Sequence, residues 1–496
     1  MQVQYEKGEP DTYFLPLALT FGKDAERIRE TVPDAIISPV VSSAGTGFLY
    51  DAPFDDRTCS SFLSFMERGG EEPARNGSIR GVRGAGFDAL RGPAETVLAV
   101  RRGSAEQSNT SMFFGDRLIM KLFRRQQNGP NPDCEIGRYL TEKVHFDGIP
   151  PFAGAIEYVP PDGEPATLAM VQGFVANQGD GWTLALEELS RYYENCAATA
   201  WPQAGDSSSS DLGADLMDLA EREPSQLARD HVGIALDSAA MLGRRTAQLH
   251  LALAASTADP SFAPEALTAT DVQNLLAGLR KDAAAVLDLL KDSVAGLADE
   301  FIDLAGLVLS RHSQILNSFR LAAEDGALGQ RIRIHGDYHL GQVLLVKTDF
   351  VILDFEGEPA RPLAERRAKL SPMKDVAGMI RSLGYAAYSG LIAHTTRRPE
   401  DWESLEPWAR LWDRSMGAEF LRAYRDTAGH ADFLPASDDG FRKLLAVFLL
   451  DKALYELSYE LNNRPAWVRV PLMGILSLPL EAGGREWNWT LSHSRT

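Results

Sequence analysis

Two stretches of this 496-residue chain carry residue types and spacings suited to chemistry. The first is His335-Gly336-Asp337-Tyr338-His339-Leu340-Gly341-Gln342, and the second, Asp354-Phe355-Glu356-Gly357, begins 17 residues after Asp337. A carboxylate held in a loop can take the proton of an acceptor hydroxyl. Asp337 is placed for that, just after the short apolar strand expected over residues 331–334. Gln342 offers a neutral oxygen, and Asp354 and Glu356 offer carboxylates, the donors preferred by a hard cation such as Mg²⁺. A proton acceptor beside oxygen ligands for such a cation is the equipment of phosphoryl transfer. His335 and His339 stand four apart, but Gly336 and Gly341 disfavour a helix and a zinc-binding helical pattern is absent. His335 reads instead as a brace of the loop.

Phosphoryl transfer also needs an anchored nucleotide, and the anchors lie upstream. Lys121, on a strand expected over 117–123, can reach the α- and β-phosphates of ATP, and Glu135, 14 residues later on the next helix, can pair with it. Ser108, Asn109, Thr110 and Ser111 form a small polar segment whose N–H groups and hydroxyls suit a turn over phosphates. Gln172, Phe174 and Val175 follow a strand, where a hinge would meet adenine. The glycine-rich segment 81–86 has neither a leading strand nor dinucleotide spacing and reads as a loop.

These groups need two kinds of element to hold them. Strand-like runs dominate the early chain, at 13–19 (an edge strand, given Pro16), 35–37, 96–100, 117–123 and 167–171, with 67–92 read as turns or linker. Helical periodicity follows at 236–253 and 283–321, then a hairpin with strands at 343–346 and 350–353, then helices from Lys374. Residues 201–213 read as an exposed loop. Strands first and helices after indicate an α+β architecture. The expected division is a small N-terminal cap subdomain at 1–90, a β-rich N-lobe with the hinge at 91–178, and a mainly helical C-lobe with the catalytic loop at 179–496.

Composition excludes several classes. Fifty Lys and Arg against 69 Asp and Glu give a net charge of −19, unsuited to nucleic acid or anionic membranes. Cys59, Cys134 and Cys196 have neither disulfide-framework nor zinc spacing. With no signal-like N-terminus and no apolar run of membrane length, the expected location is the cytoplasm.

The segments HGDYHLGQVL and DFEGEPARPLAERRAKLSPMKDVAGMIRSLGYAA closely resemble the bacterial maltokinases. So do EQSNTSMFFGDRLIMKLFRR, GPNPDCEIGRYL, AMVQGFVANQGDGW, LGRRTAQLHLAL and DKALYELSYELNNRPAWVRVPLMGIL, so that the resemblance runs from about residue 94 to 476. It implies a bilobal protein-kinase-like fold of the aminoglycoside-phosphotransferase kind. It also implies ATP- and Mg²⁺-dependent phosphorylation of maltose to maltose 1-phosphate, feeding α-glucan (glycogen) synthesis. By the motif, Asp337 is the base, Gln342 and Asp354 are metal ligands, Lys121 is the ATP lysine and Asp375 braces the catalytic loop. Sugar contacts are expected from His335, Tyr338, Arg361, Tyr455, Glu456, Tyr459, Asn463 and Trp467, with Arg366 and Lys369 near the mouth of the site. Maltokinases are often joined to or partnered with a trehalose synthase, and the residues before 91 are too few for one, so such an enzyme is a candidate partner. Two alternatives stand beside this reading: a glucosamine or other sugar kinase of the same fold, and a non-catalytic kinase-like module that regulates a glucan enzyme.

Overall fold

The computed structural model describes residues 1–6, 10–43, 45–103, 109–202, 212–321 and 327–478. The chain divides into two compact units, Met1–Ala176 with Leu353–Arg367, and Asn177–Ile352 with Ala368–Thr496.

A seven-stranded antiparallel sheet forms the body of the first unit. Its order is Glu71–Pro73, Ser78–Arg83, Phe152–Val159, Ala166–Gly173, Leu118–Phe123, Asn109–Phe114 and Val100–Arg102. The alternation of Leu118–Phe123 decides where its lysine goes. Leu118, Met120 and Leu122 are buried with Met112, Phe114 and, from the helix Asp56–Glu67, Cys59, Leu63 and Met66. Side chains alternate along a strand, so Lys121 stands on the opposite face. On that face Cys134, from the helix Pro132–Tyr139, packs with Phe152, Ala155 and Met170. Pro132 at the first helical position and the Asn131 carboxamide, which accepts the Asp133 N–H at 2.8 Å, start this helix. A separate sheet of Leu17–Phe21, Gly45–Asp51 and Ile36–Ser42 carries the helix Gly22–Thr31.

The segment expected as turns at 67–92 instead supplies two sheet strands and the helix Phe87–Arg91. Its arginines and glycines conceal the strand pattern. Gly81 is there because a Cβ would lie 2.8 Å from the Met66 Cα, so the helix beneath lies directly against the strand. The seven-stranded sheet therefore crosses the boundary expected at residue 90. The strand expected at 96–100 is shorter and later, Val100–Arg102, and Phe152–Val159 is a strand that the sequence reading passed over.

The second unit is helical. Its central helices are Gly181–Ala197, Ala235–Leu253, Met373–Thr395, Trp402–Ala428 and Asp438–Asn463, with Trp408, Trp412, Phe420 and Tyr424 among the fully buried side chains. The helical pattern at 283–321 resolves into Ala269–Ser293, Asp299–Ser310 and His312–Ser318. The hairpin Val343–Val346 with Asp349–Ile352 turns at Lys347 and Thr348, Lys347 having φ 60°. No helix among the described residues is long and apolar enough to cross a membrane. Most of the loop expected at 201–213 lies outside the described residues.

Candidate functional site

In the first unit the functional groups gather around Lys121. Its ammonium meets Asp354 Oδ1 at 2.6 Å, Asp133 Oδ2 at 3.0 Å and Glu356 Oε1 at 3.5 Å. Burial alone would pull the Lys121 ammonium down, but the three carboxylates outweigh it and hold it well above its ordinary value. Burial pushes Glu356 up against the pull of Lys121, and the charges of Asp354 and Asp133 add to the rise. Asn109 donates to Glu356 Oε1 at 2.6 Å, and Arg366 donates to the Glu356 carbonyl at 2.9 Å. Asp354 itself sits at φ 63°, a left-handed conformation that costs a non-glycine residue energy and is concentrated at functional sites.

The sequence reading gave Glu135 to Lys121. The structure puts Asp133 there instead, 4% exposed, with its second oxygen accepting the Phe355 N–H at 3.0 Å. Asp133 thus ties the lysine strand to the Asp354 segment. Glu135 is gripped through both oxygens by Arg367, at 2.9 and 3.1 Å. Two residues apart on a helix are about 200° apart around its axis, so one carboxylate turns to Lys121 and the other to Arg367. Oxygens of Asp133, Asp354 and Glu356 lie within 4.8 Å of one another, a set that fits a hard divalent cation.

The other expected nucleotide contacts of this unit fall differently. Ser108 lies outside the described residues. Asn109, Thr110 and Ser111 belong to a strand rather than a turn, because they pair in register with Phe123, Leu122 and Lys121. Thr110 Oγ1 accepts from Arg124 at 2.9 Å. Gln172 is the penultimate residue of the strand Ala166–Gly173, and Phe174, whose N–H donates to the Arg117 carbonyl, and Val175 lead to the last residue of the segment, Ala176. Arg361, expected at a sugar, pairs with Glu358 and Glu365 on its own segment.

In the second unit the loop 335–342 is held from two helices. Asp375, Gly378 and Ser382 are spaced three and four apart and share one face of Met373–Thr395. Asp375 Oδ2 accepts the His335 N–H at 2.7 Å and its Oδ1 the Gly336 N–H at 2.9 Å. Ser382 Oγ accepts the Leu340 N–H at 3.0 Å. A Cβ on Gly378 would stand 2.7 Å from the Tyr338 carbonyl oxygen, so only glycine permits this approach. From Ala235–Leu253, Thr246 bonds the Tyr338 hydroxyl at 3.0 Å and His250 Nε2 meets Asp375 Oδ2 at 3.2 Å. Facing a carboxylate, Nε2 donates to it, and Nδ1 shares a hydrogen bond with the Tyr424 hydroxyl at 2.9 Å. Burial pushes the Asp375 carboxyl up, but His250 and the backbone donor outweigh it and keep it below its ordinary value.

Asp337 is half-buried on this loop, and Lys452 of Asp438–Asn463 reaches its Oδ1 at 3.3 Å. Gln342 ends the short turn Leu340–Gln342 and is partly buried. Tyr338 and His335 are corrected as sugar contacts: both are buried in the core, Tyr338 through its bond to Thr246 and His335 as a support whose Nδ1 accepts the Asp337 N–H. Glu456 is likewise committed, its carboxylate held by Arg381 at 2.6 Å. Asn463 donates to the Tyr459 carbonyl, as a helix end does. Tyr455 and Tyr459 are exposed, and Trp467 lies parallel to Tyr385 at 6.4 Å. Lys369 is tied to Glu265 and two carbonyls of its own unit. Sequence reasoning missed Asp133, Lys452, His250 and Tyr424. Of these, only Asp133 had a local signal, its place just after a helix cap.

No family model matches the chain. It is similar to the glucosamine kinase of Streptacidiphilus jiangxiensis, at 25% identity over 461 residues, 92% of this chain and 87% of that protein. It is also similar to the glucosamine kinase of Mycolicibacterium smegmatis, at 26% identity over 394 residues, 78% of this chain and 81% of that one. Among solved structures, a glucosamine kinase in complex with glucosamine, ADP and inorganic phosphate superposes with a TM-score of 0.59 at 21% identity, covering 88% of this chain and 86% of the other. A glucosamine kinase in crystal form A gives 0.58 at the same identity, covering 88% of this chain and 84% of the other. These likenesses show the fold, the α+β kinase-like arrangement of a sheet unit and a helical unit.

Proposed function

We propose that this chain is an ATP-dependent sugar kinase of the glucosamine kinase type, with an aminosugar as the first acceptor to test. The observation that carries the kinase reading is the Lys121 cluster, in which one buried ammonium and three carboxylates share a few ångströms. Lys121 binds and orients the nucleotide phosphates. Asp354, Glu356 and Asp133 would hold Mg²⁺, which supplies charge neutralisation at the phosphates when bound. Gln342 stays a candidate ligand on residue type. Asp337, on the loop pinned by Asp375, orients the acceptor hydroxyl and takes its proton. The aminosugar rests on the similarity to glucosamine kinases over most of the chain.

A neutral disaccharide such as maltose is the second reading, and one observation favours it beyond the motif resemblance. Asp337, Glu456 and Glu460 each carry a cation already, Lys452, Arg381 and Arg464. A cationic acceptor gains less from carboxylates so balanced, while exposed Tyr455 and Tyr459 offer rings for sugar faces. The location in the cytoplasm, a role in glycogen synthesis and a trehalose synthase partner belong to this second reading.

The test is ADP release by the purified chain with Mg²⁺ and ATP against glucosamine, maltose, glucose and trehalose, with the product identified by phosphorus NMR. Turnover on glucosamine supports the first reading, and turnover on maltose with an anomeric phosphate supports the second. Nucleotide binding without turnover on any sugar sinks both and leaves the non-catalytic module.

A further inference from the structure

We propose that Lys452 is the positioning cation of the phosphoryl acceptor site, a role that rests on the kinase reading above. Its ammonium is placed from two sides. Asp337 Oδ1 lies 3.3 Å away, and the Tyr455 ring centroid lies 4.8 Å away, a distance suited to cation–π attraction. The helix Asp438–Asn463 fixes the stem, since neighbouring Ala453, Leu454 and Leu457 are buried. The side chains of Lys452 and Asp337 are 20% and 23% exposed, so the pair is more shielded from water than a surface ion pair.

The arrangement commits the two oxygens of Asp337 to different tasks. Oδ1 takes the ammonium. Among the described residues Oδ2 takes no protein hydrogen bond and is left for the acceptor. The carboxylate plane is thereby set before a sugar arrives, and orientation rather than basicity is what a loose phosphoryl-transfer transition state requires of this residue.

The same cation also balances charge through the reaction. As the acceptor oxygen bonds to the γ-phosphorus, the bond from that phosphorus to the β-bridging oxygen breaks and ADP departs. The acceptor proton passes to Asp337 Oδ2, which becomes neutral, while Lys452 keeps its own proton. The ammonium, balanced by Asp337 at the start, then faces the phosphoryl oxygens on the acceptor it helped to orient. A cation whose partner changes from Asp337 to the transferred group only during the reaction lowers the barrier more than it strengthens binding. The effect therefore belongs on kcat.

The experiment compares Lys452→Met and Lys452→Arg with the parent, using whichever sugar supports turnover and checking nucleotide affinity by direct binding. Lys452→Met is expected to lower kcat about 10²-fold, the scale of losing one preorganised donor, with the ATP affinity and sugar KM within threefold of the parent. Lys452→Arg is expected to recover kcat to within about tenfold of the parent, since Arg restores the charge but not the compact geometry of the ammonium. A Lys452→Met kcat within threefold of the parent overturns the proposal alone, as does a loss confined to KM or an Arg variant no better than Met. A parent with no sugar-dependent turnover overturns the kinase reading and this proposal with it.

Discussion

Replacing Asp375 by Asn tests how the loop 335–342 is held, and the cost can be worked out bond by bond. The carboxylate has two oxygens and receives three donors: the His335 N–H and His250 Nε2 on Oδ2, and the Gly336 N–H on Oδ1. An amide has one oxygen. Turned either way, its NH₂ group meets a backbone N–H, donor against donor, and one buried N–H goes unpaired. That costs about 1–3 kcal/mol, and each surviving bond loses its charge assistance, about 1 kcal/mol more. Removing a buried charge gives back part of its desolvation penalty, so the net loss is about 2–4 kcal/mol. All eight tryptophans lie at residue 182 or later and none falls in 353–367, so tryptophan fluorescence during urea unfolding follows the second unit alone. The Asp375 carboxyl is held below its ordinary value in the fold. Its contribution is therefore complete above the unfolded value, near pH 4, and is lost as pH falls through the folded value. The gap between parent and variant should be full at pH 7 and close on the acid side. A gap under about 0.5 kcal/mol at pH 7, or one that widens as pH falls below 4, would refute the reasoning.

Asp337→Asn should lower turnover by roughly 10²–10⁴, the scale of a lost proton acceptor, with nucleotide binding unchanged; unchanged turnover would move the base elsewhere. Lys121→Met leaves three carboxylates facing one another, so its melting temperature should fall below the parent's in EDTA and recover with Mg²⁺. A variant indifferent to Mg²⁺ in calorimetry would count against those oxygens as the cation site. Gly378→Ala must move the Tyr338 carbonyl, now 2.7 Å from the added Cβ, and should cost about 1–3 kcal/mol while lowering kcat more than the KM for ATP. An alanine variant as stable and active as the parent would show that the loop yields freely.

What could be read in the sequence was local. Asp337, Gln342 and Asp354 are joined by a loop and a hairpin whose turn and strand pattern span fewer than twenty residues, so their order along the chain is enough to propose roles for them. The lysine strand was legible because Leu118, Met120 and Leu122 alternate with it. The choice between Asp133 and Glu135 was not, because both stand near a helix start and only the packing of Cys134 against the sheet turns one of them to Lys121. Lys452 lies 115 residues after Asp337, and no periodicity links a helix to a loop at that separation. Tyr338 misled for a related reason: a tyrosine inside a functional motif is as easily a wedge under the loop as a contact for ligand, and its bond to Thr246 makes it the wedge.

The return of Leu353–Arg367 to the first unit has a bearing on how the chain is made. A nascent chain that has emerged as far as Ala176 contains Lys121 and Asp133 but neither Asp354 nor Glu356, two of the three charges that balance the buried ammonium. At ribosomal rates of about 5–20 residues per second, the missing segment follows only after the 176 residues from 177 to 352, roughly ten to thirty-five seconds later. The sheet unit must wait with an unfinished charge cluster while much of the helical unit is synthesised. An amino-terminal fragment cut at residue 176 would stay in that unfinished state.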